Sequence, residues 1–302
     1  MSYKEKYLKL KKKYIQIKKI QLIGSSMSQN NSYELSSLTL DQKNNSNILL
    51  TALKTHDYAL QYASDELKKD YNFILKAVKQ SVRALEYASN TLKDNRIFIL
   101  DAIKINGLAL KYANISFKKD REIVLAAVTR NGLALEFADI SFKQDREIVL
   151  AAISKDGFAL KFADISLKQD IKFILNAVSI DGNALKYASQ ELQNNYQVIS
   201  AAITKHAFAL EHAEEELREN YQFILDIVKI NGLALQYASQ KLQDNKTVVL
   251  AAVTQNGLAL KYATYKQKRD REIVLAAVNQ NSNALQYADA QIIFDTQNSI
   301  KK

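Results

Sequence analysis

The sequence predicts an all-α fold: an α-solenoid of ten 25-residue helix-turn-helix repeats with a basic N-terminal helix in front. Three observations carry this. An Ala-Leu pair recurs ten times, from Ala59-Leu60 to Ala284-Leu285, always 25 residues apart. The copies match closely, with DREIVLAAV at residues 120–128 and again at 270–278, and NGLAL four times. Proline is absent throughout, and six of the seven glycines fall at one position of the repeat. A fixed period of this length is the mark of a repeat architecture.

Each copy opens on Asp or Asn, the side chains that best accept from the free N–H groups of a first helical turn. In order these are Asn45, Asp70, Asn95, Asp120, Asp145, Asp170, Asn195, Asn220, Asn245 and Asp270. Counting from that residue, positions 4, 5, 6, 8 and 9 are apolar, as in Ile123, Val124, Leu125, Ala127 and Val128. The 4/8 and 5/9 pairs share one face of a helix, giving an opening helix of about ten residues. Gly107, Gly132, Gly157, Gly182, Gly232 and Gly257 stand at position 13, usually after Asn or Asp. That pattern predicts a left-handed helix C-cap. Position 15 is Ala, 16 Leu and 19 Ala in all ten copies, and position 18 is aromatic in nine. These predict a second helix of about seven residues. Position 23, apolar except at Gln267, plugs a tight return to the next copy. Leucine-rich repeats are excluded because the apolar run is contiguous rather than alternating, and the period is too short for tetratricopeptide, ankyrin or HEAT units. Twenty-five residues bury no core alone, so the copies must stack.

The domains read as a basic amphipathic helix (1–23), a polar linker (24–44) with one short helical turn at its end, the ten-copy solenoid (45–294) and a C-terminal tail (295–302). The net charge of +10 sits at the ends. Residues 1–20 hold eight Lys and one Glu, and Lys301 and Lys302 close the chain, whereas residues 21–300 carry 32 basic and 31 acidic residues. That balance argues against a sequence-specific nucleic-acid groove along the body. No apolar stretch is long enough for a transmembrane helix or a secretory signal, so the expectation is an intracellular protein. With no Cys and three His, thiol chemistry is absent and His-based chemistry has little to draw on.

In the N-terminal segment Tyr3, Tyr7, Leu10, Tyr14 and Ile17 step by 4, 3, 4 and 3, an a/d seam flanked by Lys9, Lys11, Lys12 and Lys13. These nine residues are the candidate targeting or docking site, for a protein partner or for peripheral contact with an anionic membrane. The position-18 row (Tyr62, Tyr87, Tyr112, Phe137, Phe162, Tyr187, Tyr237, Tyr262, Tyr287) reads first as core packing and second as a stacking platform. Copy 7 departs from the pattern, with His206, Ala207 and His212 in place of Asn, Gly and the aromatic. His212 and Glu216 have the i, i+4 spacing that metal sites use, but no third ligand is evident beyond His206. No phosphate loop, nucleophile elbow or zincin motif occurs. The expected function is therefore non-enzymatic, with no cofactor and no metal.

The unit D-[RYK]-x-[IF]-[IV]-L-x-A-V-x-x-[ND]-G-x-A-L-x-[YF]-A-x-x-x-[LF] resembles the domain-of-unknown-function 4116 repeat, over residues 45–294. The resemblance implies helical repeats, no known activity and no catalytic residues, and it covers about five of that family's double-length units. Asp57, Val82, Ala207 and Ser282 depart from the glycine of the pattern. The opening MSYKEKYLKLKKKYIQIKK is similar to an N-terminal segment of many giant DNA virus proteins. Together these give an expected interaction scaffold of a giant virus, in host cytoplasm, that binds a protein partner along its surface. The alternative expectation is a packaged virion component that uses the basic helix for targeting or assembly.

Overall fold

The computed structural model describes residues 35–292, which are helical and contain no strand. The nine N-terminal residues singled out above lie outside the described part, as does the C-terminal tail. The chain divides into two compact units, one ending at Asp139 and the other starting at Ile140. The 25-residue frame is the same in both, and the fold is an all-α solenoid.

All ten opening Asp or Asn residues act as N-caps, each side chain accepting from a backbone N–H of the first turn. The opening helices that follow run for eight to ten residues, as in Arg121–Arg130 and Arg146–Ile153. Their positions 4, 5 and 8 are buried in every copy, as with Ile148, Val149 and Ala152, all 0 % exposed. Position 6, usually Leu, lies half-exposed on the outer side of the same helix.

The second half of each copy differs from the expectation in two ways. First, the segment around the Ala-Leu pair is a 3-10 helix, not an α-helix. It spans Gly107–Tyr112, Gly132–Phe137, Gly232–Tyr237 and their counterparts. Its Ala and Leu are fully buried in the shared core, as with Ala159 and Leu160 in the second unit, except that Leu285 of copy 10 is half-buried. Second, the return is a short α-helix in its own right. Position 19 is extended, position 20 is a cap, and four or five helical residues follow, as in Ile165–Gln169 behind Asp164. Ser64, Ser89, Asn114 and Asp164 all accept from that helix's first turn. The copy thus consists of three short helices. In copy 9, where Gln267 replaces the usual plug, the return is 3-10 (Gln267–Arg269) and the buried amide donates to the Asp244 carbonyl at 2.6 Å.

Glycine at position 13 is not a left-handed cap. No described residue has positive φ. The preceding residue is instead extended (Asn231 φ −147°, ψ 105°), and its side chain caps the 3-10 helix through the Leu233 N–H at 3.2 Å. Glycine is needed for close approach: a Cβ on Gly232 would run into the Ala252 carbonyl of the next copy, and one on Gly182 would come within 2.7 Å of the Ala202 oxygen. Gly107 and Gly257 face the same position-8 carbonyl of the next copy, whereas a Cβ on Gly157 would meet the Asp181 side chain instead.

Neighbouring copies are also stitched by backbone. Except in copy 7, where the Glu214 N–H donates to Asn194 Oδ1 at 2.9 Å, the position-20 N–H of one copy donates to the position-24 carbonyl of the copy before, as in Ser89 to Lys68 (2.9 Å) and Asp164 to Lys143 (2.9 Å). This bond extends the array towards the N-terminus. Ser64 donates to Lys43 at 3.0 Å, and Lys43 ends a short helix, Leu40–Lys43, capped by Thr39. Leu35 falls in the position-16 register and is 0 % exposed. Residues 35–44, assigned to a polar linker on composition, are thus the closing half of a further copy that covers the first one.

Candidate interaction surface

Three recurrent surfaces emerge from this geometry. The first is the aromatic row. Its rings are half-buried at the end of each 3-10 helix, and in copies 3, 5, 6 and 9 the position-17 lysine lies over them. Lys111 stands over Tyr112 (5.4 Å) and Phe137 (5.8 Å), Lys186 over Phe158 and Tyr187 (5.7 Å each), and Lys261 over Tyr262 (5.5 Å). Burial pushes the Tyr87, Tyr112 and Tyr237 hydroxyls above their ordinary pKa. Half-burial of the row, with a lysine ammonium over Tyr112, Phe137, Phe162, Tyr187 and Tyr262, favours packing over base stacking.

The second is the position-24 row, whose lysines look like a basic stripe in sequence. Lys68, Lys93, Lys168 and Lys268 each donate to the position-17 carbonyl of their own copy, at 3.0, 2.7, 2.7 and 2.8 Å. Gln193 and Gln243 do the same job with an amide. These side chains satisfy carbonyls at the end of the 3-10 helix, groups that the helix itself leaves unpaired. Burial lowers the pKa of Lys93, Lys168 and Lys268 accordingly. Sequence reasoning missed this role, although the substitution of Gln for Lys was the available signal.

The third is the outer face of the opening helices. Between copies 8 and 9, Leu225, Lys229, Thr247, Leu250, Ala251, Thr254 and Gln255 line a groove. In the first unit positions 3, 6, 7 and 10 of copy 2 and positions 7 and 11 of copy 3 line another: Asn72, Leu75, Lys76, Lys79, Asp101 and Ile105. Each groove is lined by a position-6 leucine together with polar side chains. A leucine left half-exposed in so many copies is not required for the shared core, which positions 4, 5, 8, 9, 15, 16 and 19 already fill.

Copy 7 does not assemble a metal site. His212 ends one 3-10 helix (Ala207–His212), while Glu216 belongs to the next helix (Glu215–Glu219), with extended Ala213 and Glu214 between them. The i, i+4 spacing therefore spans a break rather than a helix face. Among the described residues no group of three His, Asp or Glu converges as a cation site. His206 lies 3.5 Å from Asp181, close enough for charge attraction when protonated but without hydrogen-bond geometry. Among the described residues no helix is long and apolar enough to cross a membrane.

The family model described as "Domain of unknown function (DUF4116)" matches residues 45–93, 95–143, 120–168, 145–192, 170–218 and 220–267. The chain belongs to the DUF4116 family. Four successive DUF4116 matches begin 25 residues apart and overlap by half. The family unit therefore spans two structural copies, and the 25-residue copy is the real period. No curated protein and no solved structure matches this DUF4116 chain.

Proposed function

We propose that the chain is a non-enzymatic scaffold that binds a protein partner along the outer face of its opening helices. The observation that carries this reading is a groove in each unit, on the opening helices of two adjacent copies, lined by a position-6 leucine and polar side chains. Grooves that combine an apolar side chain with a few polar groups suit a docked helix or extended peptide. Recurring polar side chains at positions 1, 12, 20 and 24 serve as caps or stitches in most copies, which supports a non-enzymatic reading.

The basic segment, residues 1–20, supports a targeting or assembly role, and its likeness to giant-virus N-termini supports a viral origin. A packaged particle component is the second reading, and abundance in purified particles separates it from the first. The groove itself is tested with Ala251→Arg, which fills the copy 8–9 groove at a half-exposed position. The full-length protein and the variant are used to capture partners from native-host lysate. Loss of a specific partner at unchanged melting temperature supports the reading. A partner held equally by both, but lost when residues 1–44 are removed, moves recognition to the N-terminal segment.

A further inference from the structure

Four copies place Asn before Gly at positions 12 and 13: Asn106-Gly107, Asn131-Gly132, Asn231-Gly232 and Asn256-Gly257. This dipeptide is chemically labile. The glycine nitrogen loses its proton and attacks the asparagine side-chain carbonyl carbon, ammonia leaves, and a succinimide forms. Water then opens that ring at one of its two carbonyls, giving Asp or isoaspartate. Two conditions must hold: the side chain must swing over the following nitrogen, and that nitrogen must be free to shed its proton.

The fold opposes both conditions, but unevenly. In all three pairs at copies 3, 8 and 9 the asparagine is extended, and its Oδ1 is held by the N–H two residues on, from Leu108 (2.9 Å), Leu233 (3.2 Å) and Leu258 (3.1 Å). The glycine N–H is treated differently. Gly232 donates to Gln255 Oε1 at 2.6 Å, and Gly257 donates to Gln280 Oε1. Both glutamines come from position 11 of the following copy. Each also donates its amide to the position-11 carbonyl of the copy before, Gln255 to Ile230 and Gln280 to Gln255. Position 11 of copy 4 is Arg130, which makes only the second half of this clamp, to the Ile105 carbonyl at 3.3 Å. A guanidinium has no acceptor, so it cannot hold the Gly107 N–H.

We propose that Asn106 is a spontaneous deamidation site of the folded protein, and that Asn231 and Asn256 are held in reserve by the glutamine clamps of the next copy. The products differ in consequence. Asp is already the position-12 cap in two copies, where Asp156 and Asp181 accept from Phe158 and Asn183 at 2.9 Å. Deamidation to Asp therefore keeps the cap and adds a charge. Isoaspartate lengthens the backbone by one carbon and pulls the cap out of register.

The test is peptide mapping of the full-length protein by mass spectrometry after incubation in mildly alkaline buffer, native and in urea. Asn106 is expected to gain the deamidation mass several-fold faster than Asn231 or Asn256 in native buffer, with the rates converging in urea. Gln255→Lys removes the acceptor and should raise Asn231 to the Asn106 rate. Gln255→Glu keeps an acceptor and should not. Arg130→Gln supplies the missing acceptor and should slow Asn106. Circular dichroism confirms that each variant is folded. Equal native rates at the three sites, or glutamine variants that leave the rates unmoved, overturn the proposal.

Discussion

Copies 7 and 8 stand side by side in the second unit and obey the same 25-residue frame, yet they solve it differently. Copy 8 carries Leu225, Asn231, Gly232 and Tyr237 where copy 7 carries Ser200, His206, Ala207 and His212. The cost is visible in unpaired groups. Among the described residues, the buried side-chain atoms without a hydrogen-bond partner are Ser200 Oγ, His206 Nδ1, Arg218 Nε and Ser239 Oγ. Three belong to copy 7, and Ser239 opens the return helix that packs on it. Asn231 caps its 3-10 helix, whereas His206 makes no side-chain cap. The lesson is that the frame tolerates local loss, because nearest-neighbour stacking rather than any single bond holds the array.

The largest expected effect probes what the two copies share. Leu210 and Leu235 are both 0 % exposed. Truncating either to Ala is expected to cost about 2–5 kcal/mol in chemical denaturation. A clearly smaller cost at Leu210 would mean that the irregularities of copy 7 have loosened its core, and would break the view that only its surface differs.

Next comes the contact they do not share. Gly232→Ala drives a methyl into the Ala252 carbonyl and is expected to cost about 1–3 kcal/mol. The reverse change, Ala207→Gly, should move stability by no more than about 1 kcal/mol, through backbone entropy alone. Equal effects would show that close approach is not what selects glycine.

A gain of about 1 kcal/mol is expected from His206→Asn, which restores the cap to the Phe208 N–H. Thermal unfolding of this variant beside Asn231→Ala, which removes the same cap in copy 8, checks the sign in both directions.

The smallest effect is in pH. Burial lowers the His212 pKa below its ordinary value of 6.5, with Lys186 adding to the shift and Glu211 opposing it. The unfolded chain then binds the proton more readily than the folded one. The stability held by neutral His212 is present above pH 6.5 and is lost as pH falls through the lowered folded value. In copy 8 the same position is Tyr237, whose pKa burial raises above 10.0, so its contribution is lost only as pH climbs past 10.0. His212→Tyr should therefore flatten the acid limb of a melting-temperature profile. An unchanged acid limb would assign that slope to the carboxylates instead.

The N-cap row, the opening helices and the fully buried Ala-Leu pair were legible because they depend on local propensity and an apolar period. The glycine was legible as a special position, but its reason was misread. Asn-Gly after a helix looks the same whether the glycine turns left-handed or merely gives way to a neighbour, and only the Ala252 carbonyl separates the two. The 3-10 helix was also hidden, since six residues with Ala and Leu at adjacent positions fit either helix type. Within residues 35–44 the short helical turn was legible, but the repeat register was not, because Leu35 and Leu38, both buried, are too few to show a period. For the candidate surface, the half-exposed leucines could be read only as part of the apolar face. The position-24 lysines likewise passed for surface charge, because their partner carbonyls lie seven residues back, across a turn.

By itself, then, the sequence determined the period, the ten capped helices and which side chains form the common core. These follow from interactions within about a dozen residues, repeated until no other register is consistent. What only the tertiary structure decided is how one copy meets the next: the glycine contact, the position-20 to position-24 stitch, the glutamine clamp and the groove between opening helices. Each joins residues about 20 to 25 apart, and a one-dimensional pattern records that such residues recur without recording which atoms they bring together.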